Sequence, residues 1–171
     1  MTKSTDFSAY KMILNKKATL SLQNRIVSMI YGVLVVSMSF IELIHGEKFC
    51  GSLTTAGEYN VMIMTSGFQA FDILYLAYFD LLGFDMALHH ISCMTAMASC
   101  AHYGKGSNFA LMCLMTADFS MPIMHIRVFL KSIGLRYTRV YEVCEILFFG
   151  SYIVSRMGFL QVINYFLLTC D

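Results

Sequence analysis

Five stretches of the chain are apolar for about 20 residues each, and short polar or glycine-containing segments separate them. The stretches are Ile26–His45, Tyr59–Phe79, Phe84–Tyr103, Asn108–Leu130 and Tyr137–Phe159. A helix of about 20 residues crosses the roughly 30 Å hydrocarbon core of a bilayer, where every backbone group must be paired within the protein. The pattern therefore predicts an all-α fold, a polytopic transmembrane helical bundle of about five spans.

The composition agrees with a membrane protein and narrows the classes of function. Hydrophobic residues make up 57% of the 171 residues and charged residues 13%, with a mean hydropathy of +0.63. Soluble domains are roughly a quarter charged, so the composition argues against an aqueous enzyme. The net charge of +1 gives no strong field that would attract nucleic acid, and we expect no nucleic-acid partner.

The distribution of lysine and arginine between the loops predicts the orientation. The side of the membrane that holds the N-terminus carries most of them: Lys3, Lys11, Lys16, Lys17, Arg25, Arg127, Lys131, Arg136 and Arg139. The opposite side carries Lys48 and Lys105, with Arg156 at the far end of the fifth span. Because cytoplasmic loops are rich in these residues, we expect the N-terminus inside and the C-terminus outside.

Three segments follow from the same pattern. Residues 1–21 form a basic N-terminal segment that could lie on an anionic membrane surface, and residues 22–157 form the bundle. Residues 158–171 form an apolar tail that is too short for an ordinary span. The tail is expected to be a kinked extension, a re-entrant piece or an interfacial helix.

Ionisable side chains within the spans are the most informative positions. Each costs about 2.5–3.5 kcal/mol at the centre of a bilayer on insertion scales, and such residues usually face the bundle interior. We therefore predict one polar cluster inside the bundle, mostly within one leaflet. Its members are Asp72, His89, His90, Asp118, His125, Glu142 and Glu145.

These residues allow two interpretations. A histidine beside a carboxylate is a workable general base, which would suit acyl transfer to an amine or hydroxyl. In the structural alternative, one of His89 and His90 is hydrogen-bonded locally while the other faces headgroups. Asp118 and His125 then flank a kink caused by Pro122. Adjacent histidines on a helix point about 100° apart, so we expect no metal site.

The six cysteines show no C-x-x-C spacing. Cys93, Cys100, Cys113 and Cys144 lie within spans, where a free thiol acts as a small apolar packing group. Two others, at positions 50 and 170, fall on the predicted outer side and could form a disulfide in an oxidising compartment.

Several short motifs occur in an order that resembles a known family. They are Asn24-Arg25-Ile26-Val27-Ser28, Gly67-Phe68 with Phe71-Asp72, His89-His90, Asp118-Phe119-Ser120-Met121-Pro122 before Arg127, and Arg156. Together, over roughly Leu22 to Arg156, they resemble the TLC-domain family. This family is named for the translocating-chain-associated protein, the longevity-assurance ceramide synthases and a ceroid-lipofuscinosis protein. The resemblance implies a helical bundle that handles lipids.

The resemblance also assigns roles to four of the embedded residues. His89 and His90 match the paired histidines of the ceramide synthases that are associated with acyl transfer. Asp118 matches the first acid of the downstream acidic motif, and Asp72 matches an acid of the second motif. Met121 stands where the synthases have a second acid, and the C-terminal part is shorter than in the family. The chain therefore resembles a non-synthase branch.

Two functions remain open, and the departures from the synthase pattern favour the first. The first is a non-catalytic, lipid-associated role, as an accessory subunit of a larger membrane complex. The alternative is an acyl-CoA-dependent lipid N-acyltransferase that uses His89 or His90 as base and Asp118 or Asp72 to orient it. We expect no cofactor, but a bound lipid, or acyl-CoA for the enzyme.

The expected partners are membrane lipids and other membrane-protein subunits. The resemblance favours the endoplasmic reticulum, whereas the basic, acid-poor N-terminus and the subunit role favour the mitochondrial inner membrane.

Overall fold

The computed structural model describes residues 3–45 and 52–169, with side chains from residue 16 onward except 166 and 167. Within these residues every regular element is helical, and the one β-type contact is an isolated bridge between Leu53 and Lys105. The predicted all-α fold is confirmed. The cysteines at positions 50 and 170, which could form a disulfide in an oxidising compartment, lie outside the described residues.

The helices follow one another with short connections. They are α1 (Lys3–His45), α2 (Ala56–Tyr78), α3 (Phe84–Tyr103), α4 (Ser107–Asp118), α5 (Met121–Ser132), α6 (Arg139–Tyr152), a π-helical segment (Ile153–Phe159) and α7 (Leu160–Leu168).

Among the described residues, four helical runs are long and apolar enough to cross a membrane: Lys16–His45, Ala56–Tyr78, Ser107–Ser132 and Arg139–Tyr165. The remaining predicted span is α3, whose 20 residues give about 30 Å of helix and which packs against α2 and α4. Its histidines make it less apolar than the other four. The chain is therefore a polytopic membrane bundle with four strongly apolar spans and a fifth helix of spanning length.

The first helix is longer than a membrane span. It runs unbroken for 43 residues, about 64 Å, so the basic N-terminal segment is continuous with the first span. The Nζ atom of Lys17 lies 2.6 Å from Oδ2 of Asp80 in the turn between α2 and α3. The hydrogen bond and the charge of Lys17 both lower the pKa of the Asp80 carboxyl. We call this end of the bundle, with Lys17, Asp80 and Lys131, the basic end.

The fourth predicted span is broken in the middle. Helix α4 ends at Asp118, and α5 begins at Met121 with a proline in its first turn, where a missing N–H is tolerated. The backbone carbonyl of Ala117, next to the break, accepts a hydrogen bond of 3.0 Å from Nη2 of Arg156. The helix is thus interrupted just before Pro122, where the sequence predicts a kink, and a side chain from the last span donates to a carbonyl beside the interruption.

The last span extends further than its sequence pattern indicated. The helix begins at Arg139 and continues through the π-helical segment into α7, which ends at Leu168. The apolar tail is therefore an extension of the span over the described residues. The sequence pattern placed Arg156 at the far end of the fifth span, and this placement is wrong. Arg156 lies within the helical run and contacts α4.

The apolar core lies among α1, α2, α3 and α4. Val35, Val61 and Leu111 are fully buried there, and Met97 and Leu114 are nearly so. Many large apolar side chains on the outer faces are exposed, as expected where lipid surrounds the bundle. The four described cysteines are free and half-buried, in agreement with a packing role.

A buried hydrogen-bond network joins the connections at the end opposite the basic end. Thr55 caps α2 by accepting a hydrogen bond from the backbone N–H of Glu58, whose carboxylate accepts from the Thr55 backbone. The same carboxylate, 1% exposed, accepts a hydrogen bond of 2.7 Å from Oγ of Ser107. The backbone N–H of Thr54 donates to the Gly104 carbonyl. These contacts fix α2 to the start of α4.

Candidate functional site

Three buried polar side chains from three different helices meet near the basic end. Nδ2 of Asn24 on α1 donates a hydrogen bond of 2.7 Å to Oδ1 of Asp72 on α2. Nε2 of His90 on α3 lies 2.8 Å from Oδ2 of the same carboxylate, although its N–H direction is not aligned with that oxygen. All three residues are less than 9% exposed. Asp72 therefore links α1, α2 and α3.

Helical periodicity explains why these side chains point inward. Thr65, Gln69 and Asp72 are spaced four and three residues apart and lie on the buried face of α2. On α3, adjacent residues point about 100° apart, so His90 is buried while its neighbour His89 is exposed. His90 therefore contacts a carboxylate, and the ring centroid of the exposed His89 lies 5.5 Å from that of His90.

A cavity of about 360 Å³ lies beside this contact, between α1, α2, α3 and α5. It reaches the turn between α2 and α3 at the basic end through Leu81 and Gly83. Its polar lining includes Asn24, Asp72, His89, His90, Asp118 and His125. Five of the seven residues predicted to form a cluster therefore line one cavity.

The break in the fourth span places two of these residues. Asp118 is the last residue of α4, and His125 lies on the second turn of α5. Arg156 is held on the carbonyl of Ala117, one residue before Asp118, so a guanidinium lies close to the deep end of the cavity.

Several buried polar atoms at the cavity lack a hydrogen-bond partner among the described residues. They are Oη of Tyr31, Oε1 of Gln69, Nδ1 of His90 and both ring nitrogens of His125. Buried polar groups are normally paired, because an unpaired one costs about 1–3 kcal/mol. The cavity thus offers both donors and acceptors to a molecule that enters it.

The two glutamates of α6 do not join this group. Oε1 of Glu145 lies 3.3 Å from Nη1 of Arg127, and Glu142 pairs with Arg139 at 3.2 Å. Neither glutamate lines the cavity, since α6 packs against α5 rather than against α2 or α3. The predicted polar residues are therefore divided between an interhelical cavity and the surface of α6.

Some lining residues were not among the predicted site residues. These residues are Asn24, Arg25, Tyr31 and Gln69. A search for embedded acids and histidines misses them because none of them is an acid or a histidine, and some lie at the edge of a span. Amides and phenols within apolar helices are the signal that would have identified three of the four. In the part of the chain that the structure describes, no three His, Cys, Asp or Glu side chains form a metal-binding group.

Comparison with known proteins agrees with the order of motifs in the sequence. The family model of the TLC domain matches residues 21–170, nearly the whole chain and every helix that lines the cavity. No solved structure matches the chain. Since the match covers far more than half of its length, the chain belongs to the TLC-domain family, a lipid-related family of membrane proteins.

Proposed function

We propose that the protein binds a membrane lipid non-covalently, with the polar group of the lipid in the cavity beside Asp72 and His90. The unpaired buried polar atoms of the cavity carry this proposal. They lie within a bundle whose outer surface is apolar, so the molecule that reaches them most readily is an amphiphile from the bilayer.

The size and the walls of the cavity fit such a ligand. Small-molecule sites are about 300–1,000 Å³, and this cavity of about 360 Å³ lies at the lower end of that range. Its apolar lining includes Phe68, Leu76, Met86 and Met124. Polar groups between apolar walls suit a headgroup with the start of its acyl chains.

A role without covalent chemistry is favoured by the state of the two histidines. His90 is held by Asp72, while His89 is exposed, with Nε2 4.0 Å from Sγ of Cys93. The ring centroids are 5.5 Å apart, and only His90 is paired with a carboxylate among the described residues. Met121, at the position where the synthases have a second acid, leaves the cavity one carboxylate short of the synthase pattern.

The test is lipid extraction and mass spectrometry of the purified protein, with two matched variants. His125→Phe fills the cavity edge with an apolar ring and removes no existing hydrogen bond, since His125 has no partner among the described residues. His102→Phe makes the same change at an exposed position of α3. We expect about one bound lipid in the wild type and in His102→Phe, and markedly less in His125→Phe. Equal lipid in both variants, or none in the wild type, contradicts the proposal.

Acyl transfer from acyl-CoA to a lipid amine is the second candidate. It is favoured by the contact between Asp72 and His90, because a carboxylate that orients an imidazole in an enclosed site is the arrangement of a general base. The nitrogen–carbonyl bond would form, the thioester carbon–sulfur bond would break, and the amine proton would pass through Nδ1 of His90 to the thiolate. Acylation of a sphingoid base that is lost in His90→Ala but kept in His102→Ala would replace the non-catalytic proposal.

We further propose an accessory role in a larger membrane assembly, in the endoplasmic reticulum or the mitochondrial inner membrane. Native purification followed by mass spectrometry of co-purifying chains, together with organelle fractionation, tests this directly. Stoichiometric partner subunits support it, and a lone bundle contradicts it.

A further inference from the structure

We propose that Arg25 and His125 bind the phosphate of a phospholipid, and that one acyl chain of the same lipid lies in the groove between α1 and α5. This inference rests on the proposed lipid binding and adds the chemical class of the headgroup.

Arg25 is the first observation. It is half-buried beside Asn24, and it lines the cavity near the basic end. No acidic side chain among the described residues lies within ion-pair distance of its guanidinium. The nearby Asp72 carboxylate is already engaged by Asn24 and His90, and Asp85 is exposed at the cavity rim without pairing to Arg25. An unpaired charge in such a place favours an anionic ligand.

His125 is the second, independent observation. The residue is 7% exposed, and neither ring nitrogen has a hydrogen-bond partner among the described residues. It lies on α5, opposite Arg25 on α1, and both residues line the cavity. An imidazole N–H and a guanidinium fork on facing helices are suitable donors for phosphate oxygens.

The groove between α1 and α5 is the proposed binding site for the acyl chain. Arg25 and His125 also line an apolar groove of about 270 Å³ between α1 and α5. The rest of its lining is apolar: Leu22, Ile26, Met29, Ile126 and Phe129. A guanidinium and an imidazole therefore lie where a polar cavity and an apolar groove meet, which matches the phosphate and one acyl chain of the same phospholipid.

The depth of Arg25 agrees with the depth of lipid phosphates. His45 ends α1, and Arg25 precedes it by 20 residues, or about 30 Å of helix. This is the thickness of the hydrocarbon core, so Arg25 lies at one hydrocarbon boundary when the end of α1 lies at the other. Free phosphate carries the same anionic group but has no apolar chain to occupy the groove. We therefore assign the site to a phospholipid.

The experiment compares three probes with the purified protein in detergent. They are dioleoylphosphatidylglycerol, dioleoylglycerol, which has the same chains without phosphate, and inorganic phosphate. Native mass spectrometry measures the bound fraction for the wild type, Arg25→Gln, Arg25→Lys and Arg136→Gln. The last variant removes one exposed cation outside the cavity and is the matched control.

We expect the wild type and Arg136→Gln to prefer phosphatidylglycerol over dioleoylglycerol by about tenfold or more, since one charge-assisted contact of about 1.4 kcal/mol gives a factor of ten. The preference should fall toward one in Arg25→Gln and be intermediate in Arg25→Lys. Inorganic phosphate should compete only weakly.

Three outcomes overturn the inference. They are no preference in a wild type that retains both lipids, an unchanged preference in the Arg25 variants, or complete displacement of bound phosphatidylglycerol by inorganic phosphate. If Arg25→Gln does not fold, the lipid preference of the wild type and the reduced preference expected of Arg25→Lys still test the inference. If the proposed lipid binding itself is wrong, the wild type should retain neither phosphatidylglycerol nor dioleoylglycerol. That result differs from each of the three outcomes above.

Discussion

Replacing Asp72 with alanine should destabilise the bundle strongly, because it removes a group that joins three helices near the basic end. The carboxylate is 4% exposed, accepts a hydrogen bond of 2.7 Å from Asn24 and lies 2.8 Å from Nε2 of His90. Removing one partner of a buried charged contact costs about 3–5 kcal/mol. Asp72→Asn keeps an acceptor for Asn24, so we expect a loss of only about 1–2 kcal/mol.

The assay is thermal unfolding in detergent with a thiol-reactive dye. The chain has no tryptophan, but the four cysteines among the described residues are free and half-buried, and they become reactive when the bundle opens. In a protein of this size about 1 kcal/mol shifts the midpoint by roughly 2–4 °C, so Asp72→Ala should lower it by about 10 °C. Asp72→Asn should lower it by roughly 2–8 °C.

Asp85→Ala is the control for loss of a carboxylate at the same end. Asp85 is exposed in the first turn of α3, where an acid contributes about 0.3–1 kcal/mol through the helix dipole. A midpoint for Asp72→Ala within 2 °C of that for Asp85→Ala would refute the reasoning, since the buried contacts would then contribute nothing beyond a surface charge.

Three further predictions concern other contacts. Glu58→Ala should lower stability by about 2–3 kcal/mol in the same assay, because it leaves Oγ of buried Ser107 unpaired. Lys17→Gln should lower the unfolding midpoint slightly at pH 7. Lys17 lowers the Asp80 pKa in the folded state, so this difference should be fully present above the unfolded value of about 3.9 and should be lost as pH falls through the lower folded value. Arg156→Gln should cost about 1–3 kcal/mol by weakening support of the broken fourth span, measured by thermal unfolding.

Each of these has its own control and contrary outcome. Asn60→Ala alters an exposed residue of α2, and a loss equal to that of Glu58→Ala would show that the network is not responsible. Lys16→Gln removes an exposed charge beside Lys17; a pH-dependent midpoint difference in both variants would contradict the specific pair. An unchanged midpoint in Arg156→Gln would mean that the Ala117 carbonyl needs no side-chain donor.

The sequence was a good guide to local structure for a simple reason. Long apolar runs in lipid must be helical, so the existence of the spans followed from hydropathy alone. The break before Pro122 also followed, because proline lacks the N–H that a continuous helix requires. The end of the last helix did not follow, since the apolar tail could continue the span or lie elsewhere, and its helical continuation moved Arg156 into the bundle.

The same contrast holds for the candidate site. The cost of an ionisable group in lipid predicted that Asp72 and at least one of the two histidines would face the bundle interior, but it left open which of His89 and His90 is buried. It did not determine that Glu142 and Glu145 would pair on α6 while Asn24, Arg25 and Gln69 entered the cavity. That outcome depends on which helix lies beside which.

Hydropathy and the order of motifs were enough to identify a membrane-embedded helical bundle of the TLC-domain family with a few acids and imidazoles within its spans. The packing of the helices then fixes which of these side chains meet: Asp72 contacts Asn24 and His90 beside a cavity that Asp118 and His125 also line. Packing was needed because hydropathy acts on each helix separately, whereas a contact between side chains requires the rotation, depth and neighbour of two helices to be fixed together.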